Sequence, residues 1–346
     1  MVDKEIVIVA KCFDSSVSGP ASVVRELIAE LKREQVPFHA VLLTERQSKY
    51  RFLIDLVSTL KNEDGLVVNV HTDGYLIPFA VLFLSKIFWK HSYYLTVHGI
   101  YQIERAFCGK SKYRYVLLEK YIYKRFPNLI CVSQMLKQNI QVIFGRSDNV
   151  LVIPNATNAH SDVRKKKNIP MELISLGGLR KRKGIECVLN LASVFKEKTC
   201  CFHISLYGDA ENNLDWFQKQ VMELNLTGLI DYYGEITDKQ KVYDIIRQAD
   251  VQLCFSKYDT YNVAIAESLV LGCPCIASNM CGAAYLINDY SAGLVVDLDE
   301  ESAGNFGNII EYINNIGNVE SYGKTNNDYA DLLSWKNVVS QYLRLS

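Results

Sequence analysis

The sequence predicts an α/β protein built as two doubly wound domains facing each other across a cleft, and three observations predict it. Strand-like apolar runs alternate with amphipathic helical patterns along the chain, as parallel sheets covered by helices require. A polar, charged break, Pro154-Asn-Ala-Thr-Asn-Ala-His160 followed by Arg164-Lys-Lys-Lys167 and ending at Pro170, interrupts that rhythm before it restarts. The length of 346 residues suits two domains of roughly 150 residues each.

In chain order, Ile6 to Val9 reads as the first buried strand. Ala21 to Glu34 follows as an amphipathic helix with Val23, Val24, Leu27, Ile28 and Leu31 on one face. Further strands are expected at Phe38 to Leu43, Leu66 to Val70, Tyr93 to Val97, Leu129 to Val132 and Val150 to Ile153. The longest apolar stretch, Tyr75 to Leu84, is interrupted by Ser85 and Lys86 and resumes for Ile87 to Trp89, well short of the roughly 20 residues of a membrane span. With Pro78 near its start, it reads as a buried helix. After the break, strands are expected at Leu173 to Leu176, Phe202 to Tyr207, Ile230 to Tyr233, Val251 to Phe255, Cys275 to Ala277 and Gly293 to Val296, with two or three helices after Asp299. The domains are drawn at 1–158 and 168–332, with a last helix over 333–346 packing back on the first. Ligands of such sheets bind at the carboxyl ends of the strands.

Composition sets the class. With 49% hydrophobic and 22% charged residues the chain is neither a disordered tail, nor collagen-like, nor a small disulfide scaffold. Its start places two acids before a five-residue apolar run, unlike a secretory signal. The ten cysteines are scattered, without a CxxC pair, and read as reduced and buried, so a cytoplasmic location is expected. Basic and acidic side chains balance at 38 each, but unevenly: residues 101–200 carry 19 basic against 7 acidic, and residues 201–346 carry 8 against 20. That asymmetry suits an anionic ligand or surface near the basic part.

The most informative stretch is Asp259-Thr-Tyr-Asn-Val-Ala-Ile-Ala-Glu267, ending in Gly272-Cys-Pro274. Asp259 should lie in the loop after a strand, and Tyr261 to Val263 should open a helix whose first amides suit a pyrophosphate. Glu267 falls within the apolar run Val263 to Leu271, where a carboxylate is costly unless something donates hydrogen bonds to it. A ribose diol would supply two; an exposed helix acid is the ordinary alternative.

This pattern resembles the family 4 retaining glycosyltransferases of the GT-B fold, whose motif is two acids separated by seven residues before a Gly-x-Pro stop. Asp259 stands where that family usually has glutamate, and Glu267 matches. Weaker motifs follow in the family's order: Ser18-Gly19-Pro20 after the first strand, Pro154-Asn155, Leu176-Gly-Gly-Leu179 with Lys183-Gly184, Tyr207-Gly208, Tyr233-Gly234 and Ser334-Trp335. The resemblance implies two Rossmann-like domains, the first on the acceptor side and the second binding a nucleotide sugar. It implies that Glu267 binds the donor ribose, that Asp259 lies near the sugar hydroxyls, and that Lys183 neutralises the departing diphosphate, where fixed cations lower the barrier. Gly19, Thr260, Tyr261, Asn262 and Val263 complete the donor set. The family's arginine, five positions before the lysine, is Gly178 here, leaving Arg180 or Arg182 as substitutes. His98, after a strand, resembles the family histidine beside the reacting sugar; His71, also after a strand, could line the acceptor side.

No metal or other cofactor is expected. The one Asp-x-Asp pair, Asp297-Leu-Asp299, ends a strand and precedes Glu300-Glu301, the acidic start of a helix. Lys86, Lys90, Arg105, Lys110, Lys112, Arg114, Lys120, Lys124 and Arg125 interleave with Tyr101, Tyr113, Tyr115, Tyr121 and Tyr123. That basic aromatic group suits an anionic membrane surface or a lipid-diphosphate acceptor, and no nucleic-acid recognition motif accompanies it. The expectation is a cytoplasmic, peripheral, metal-independent transfer of sugar from a nucleotide-diphosphate donor, a UDP-sugar, to a glycan or lipid-linked acceptor, with domain closure excluding water. The rivals are a non-catalytic partner subunit of the same fold and a nucleotide-sugar epimerase.

Overall fold

The computed structural model describes residues 5–12, 19–107, 112–160, 168–198, 201–290, 292–304, 306–315 and 326–345. Ser18, Lys110, Cys200 and the Arg164 to Lys167 cluster lie outside them. The chain divides into two compact units, residues 1–156 with 334–346, and residues 157–333.

The first unit runs β1 (Ile6–Lys11), α1 (Gly19–Arg33), β2 (Phe38–Leu43), α2 (Lys49–Asn62), β3 (Val67–His71), α3 (Leu76–Ile87), β4 (Ser92–Val97), α4 (Tyr101–Ala106), α5 (Tyr113–Arg125), β5 (Asn128–Cys131), α6 (Gln134–Phe144) and β6 (Val150–Val152). The second runs β7 (Met171–Ser175), a 3-10 turn at Lys181–Lys183, α7 (Ile185–Glu197), β8 (Phe202–Leu206), α8 (Leu214–Glu223), β9 (Ile230–Tyr232), α9 (Lys239–Gln248), β10 (Val251–Cys254), α10 (Val263–Val270), β11 (Cys275–Ser278), α11 (Tyr285–Tyr290), β12 (Gly293–Val296), α12 (Leu298–Ala303), α13 (Gly307–Asn315) and α14 (Asn326–Leu332). The last helix, α15 (Trp335–Leu343), belongs to the first unit.

Each unit holds one six-stranded sheet, in the orders β2-β1-β3-β4-β5-β6 and β12-β11-β10-β7-β8-β9. Every strand pairing is parallel; Ile6 stands opposite Val67 in β1 and β3, and Val251 opposite Leu173 in β10 and β7. Strands buried on both faces read as continuous apolar runs, and β1 is buried from Ile6 to Ala10. Polar residues inside such strands therefore stand out: Asn69, His71 and Thr96 are buried in the middle of the first sheet. Helix ends are set locally. The Ser133 hydroxyl accepts from the Leu136 amide to open α6, which Gly145 closes in a left-handed conformation. Asp297 caps α12 by accepting from the Asp299 and Glu300 amides.

One expectation is corrected. The α3 segment is not a buried helix: Ile77, Pro78, Val81 and Leu82 face the core, while Leu76, Phe79, Phe83 and Ile87 are 59%, 44%, 62% and 54% exposed. Apolar residues on every side gave its sequence no phase from which to find the outward face. The start of the proposed linker is buried at Asn155, Ala156, Thr157 and Ala159, the Thr157 amide donates to the Leu333 carbonyl at 2.9 Å, and the two units divide between Ala156 and Thr157. Among the described residues three helices, α13 to α15, begin after Asp299, in line with the two or three expected there, and α12 begins just before it. No described helix is long and apolar enough to cross a membrane.

Candidate functional site

In the second sheet the chain leaves β7 toward β8 and β9 on one side, then returns to place β10 on the other. The crevice outside the carboxyl ends of two such strands is where doubly wound sheets bind ligands. After β7, the Gly178 amide donates to the Tyr207 carbonyl at 2.8 Å, and Gly178 adopts φ +65°. A Cβ there would lie 2.2 Å from the Asp209 carbonyl oxygen. The position of the expected arginine thus accepts no side chain. The nearby guanidinium groups have partners in the protein: Arg180 pairs with the half-exposed Asp209 at 2.8 Å, and Arg182 donates to the Tyr258 carbonyl at 2.8 Å.

Lys183 is different. Gly184, at φ +82°, packs so closely on Phe255 that a Cβ would come within 1.8 Å of its carbonyl oxygen, which seats the 3-10 turn against the end of β10. There the Lys183 ammonium donates directly to the Asp259 carboxylate. Burial pushes the Asp259 carboxyl up, but the Lys183 charge beside it, with Arg182 and the Tyr261 amide, outweighs that and holds it below its ordinary value. The Asp259 loop is pinned by its amide on the Met280 carbonyl at 3.0 Å and by the Gly282 amide on its own carbonyl at 2.8 Å. Asn262, left-handed at φ +69°, leads into α10. Lys183, Gly177, Ser256, Asn262 and Ala264 line one small crevice of about 30 Å³. Thr260 and Val263 are half-buried beside it in sequence; Tyr261 is buried, and its hydroxyl has no hydrogen-bond partner among the described residues.

Glu267 is 3% exposed and meets the Lys239 ammonium, from the first residue of α9. Burial drives its carboxyl up, Lys239 pulls it down, and burial prevails. Sequence reasoning anticipated the need for a donor to Glu267 but not that a lysine from another helix supplies it.

The first sheet has its own switch point, at β1 and β3. A cavity of about 1080 Å³ opens there, walled by Pro20, Thr72 to Leu76, His98, Gly99 and the rings of Tyr101, Tyr115 and Tyr123, with Lys49, Arg105 and Lys112 as cations and Asp73 and Glu104 as acids. Gly19, one residue before Pro20, is exposed. Fully buried Glu119 organises the wall, accepting from the Tyr75 hydroxyl at 2.5 Å and the Tyr101 amide at 2.7 Å. The basic aromatic group divides accordingly: Tyr101, Arg105, Lys112, Tyr115 and the buried Tyr123 line the cavity, whereas Tyr113 and Tyr121 are exposed.

His98 is half-buried in this wall, and its amide donates to the Thr72 hydroxyl at 3.0 Å. Desolvation pushes its imidazole down to about 4. Its Nε2 lies 3.0 Å from Nδ1 of His71, which is buried behind it and is pushed well down by burial and then by His98. Among the described residues, the group that could hold a metal ion is Glu5, His39 and Glu63, with His39 Nε2 2.9 and 2.8 Å from the two carboxylates. It lies at the amino ends of β1 and β2, not at the carboxyl ends where the cavity opens.

Two family models match the chain: Glycosyltransferase Family 4 over residues 18–160 and Glycosyl transferases group 1 over residues 157–321. An uncharacterized 41.2 kDa protein in the cps region of Klebsiella pneumoniae is 24% identical over 267 residues, 72% of this chain and 70% of that protein. Among solved structures, a sucrose-phosphate synthase from Thermosynechococcus elongatus superposes with TM-score 0.78 at 14% identity, covering 99% of this chain and 98% of its own. Anabaena HepE in complex with UDP superposes with TM-score 0.73 at 13% identity, covering 98% of each chain.

Proposed function

The chain is a glycosyltransferase of the GT-B fold, matched on both of its units, and we propose that it is a retaining, metal-independent enzyme moving a sugar from a UDP-sugar to a glycan or lipid-linked acceptor in surface polysaccharide biosynthesis. The observation that carries this reading is the Lys183–Asp259 pair at the switch point of the second sheet, beside the start of α10. When donor enters, the lysine exchanges the carboxylate for the diphosphate, and Asp259 turns to the sugar hydroxyls. Glu267 takes the ribose in place of Lys239, and Arg180 and residues Thr260 to Val263 complete the donor contacts. The acceptor hydroxyl bonds to the anomeric carbon on the face from which the diphosphate leaves, and its proton passes to the departing phosphate oxygen. Fixed positive charge at that oxygen stabilises the transition state more than the ground state. The UDP bound by HepE and the cps location of the Klebsiella protein support the donor and the pathway class.

The acceptor belongs to the aromatic, cation-bearing cavity of the first unit, beside His98. Leu76 joins that cavity to the outward ridge of α3, where the Phe79 ring lies tilted against that of Tyr121 of α5 at 6.1 Å between ring centres. Lys86 lies in the last turn of α3, Lys120, Lys124 and Arg125 lie near Tyr121 along α5, and all four are exposed. An apolar ridge bordered by cations suits a membrane with anionic headgroups, so the same reading sets the enzyme at its inner, cytoplasmic face.

The test is a panel of nucleotide sugars with and without glycan and lipid-linked acceptors, in chelator, following nucleoside diphosphate release and the anomeric configuration of product. Acceptor-stimulated release with retained configuration is expected. Isomerised sugar alone would make the chain an epimerase. The barred arginine position at Gly178 favours one other reading, a non-catalytic partner subunit, which would bind donor without turnover.

A further inference from the structure

The buried polar residues of the first sheet form one chain that ends on His98. Tyr342 of α15 lies 3.4 Å from the Thr96 hydroxyl, and that hydroxyl donates to the Asn69 carbonyl oxygen at 2.8 Å. With its carbonyl so engaged, Asn69 presents its amide nitrogen to His71 Nε2 at 3.3 Å. An amide nitrogen only donates, so His71 Nε2 accepts, and a neutral His71 carries its proton on Nδ1. That Nδ1 is 3.0 Å from His98 Nε2. We infer that His71 is a positioning residue which donates to His98 Nε2 and thereby locks His98 as a neutral ring with its proton on Nδ1.

The consequence is chemical. The one basic lone pair of His98 is taken up by His71, inside the sheet, and is unable to accept a proton from the acceptor hydroxyl. His98 acts as a hydrogen-bond donor through Nδ1, and the acceptor proton leaves with the diphosphate. Desolvation of both rings agrees, since neither holds a second proton near neutral pH. The functional half of this inference rests on the reading that His98 lies beside the reacting sugar. The tautomer does not.

Labelling the full chain with 15N-histidine and recording long-range 1H–15N correlations at pH 7 tests it, the six histidines being assigned by single substitutions. Nδ1-protonated His98 and His71 are expected; His98 protonated on Nε2, as a reversed Asn69 amide would impose, overturns the inference. Kinetics supply the second arm. His71→Asn keeps an N–H donor near the place of Nδ1 and should retain most of the turnover, whereas His71→Leu should lower kcat at least about tenfold with the donor KM unchanged. Equal losses in the two variants, or none in either, would overturn the positioning role. Full turnover in His98→Ala would instead remove His98 from the reacting sugar, and the spectrum would still decide the tautomer.

Discussion

Glu267 is a carboxylate that the second unit holds against its preference for water. Its pKa is raised in the folded protein, so its stabilising contribution is complete under acid conditions and is lost as pH rises through the folded value. Glu267→Gln should therefore raise the melting temperature at pH 8, and the gain should shrink toward zero on acidification; a gain independent of pH would locate the cost elsewhere. Function runs the other way. Charge-assisted hydrogen bonds to a ribose contribute about 1.5–3 kcal/mol, so Glu267→Ala should weaken UDP binding by roughly 10- to 100-fold in calorimetry. Unchanged affinity would sink the ribose assignment. Asp259 has the opposite sign: its pKa is lowered, and its contribution is present at neutral pH and lost as pH falls through the folded value. The isolation of Glu267 in an apolar run was legible in the sequence. Its partner Lys239 was not, because it comes from a helix with no periodic relation to α10. The His71–His98 contact was hidden in the same way: His71 ends β3 and His98 follows β4, and only the adjacency of those strands brings them together.

At the scale of elements, the inner strands were legible because parallel strands buried on both faces leave largely apolar runs; the edge strands β2, β6, β9 and β12 are partly exposed, and all twelve appear within a few residues of their expected bounds. The α3 helix was legible as a helix and not as a surface. Its outward residues Leu76, Phe79, Phe83 and Ile87 fall three or four apart, so they form one stripe along the helix. Burying a Phe side chain is worth roughly 1.5–3 kcal/mol. A Phe79→Ser/Phe83→Ser variant should accordingly lose at least about tenfold in partition onto vesicles containing phosphatidylglycerol, measured by sedimentation, while its turnover on a soluble acceptor persists. Lysine near an anionic surface contributes about 1 kcal/mol each, so binding should also weaken with salt. Equal binding of wild type and variant at low salt would take α3 out of the proposed face.

For the molecule as a whole, the net charge of zero conceals an internal exchange. Cations of the basic middle stretch meet acids of the acidic remainder: Arg180 with Asp209, and Lys183 with Asp259. The units nevertheless keep separate cores. Trp335, Val338, Val339 and Tyr342 of α15 pack with Ile6, Ile8, Val24 and Leu27, so the end of the chain consolidates the unit in which the chain begins. The second core gathers Leu173, Ile204, Leu253 and Ile276 around its own sheet. Trp335→Ala removes a large side chain from the first core alone and should cost about 3–5 kcal/mol there. Hydrogen exchange should report it as faster exchange in β1, β3 and the interior of α1, with β7 and β10 unchanged. UDP at a hundredfold excess over Kd stabilises whatever it binds by about 2.7 kcal/mol. If the donor belongs to the second unit, UDP should slow exchange over residues 176–184 and 259–263 in wild type and variant alike, and leave the weakened strands of the first sheet as the mutation made them. Rescue of β1 and β3 by UDP would move the nucleotide to the other sheet.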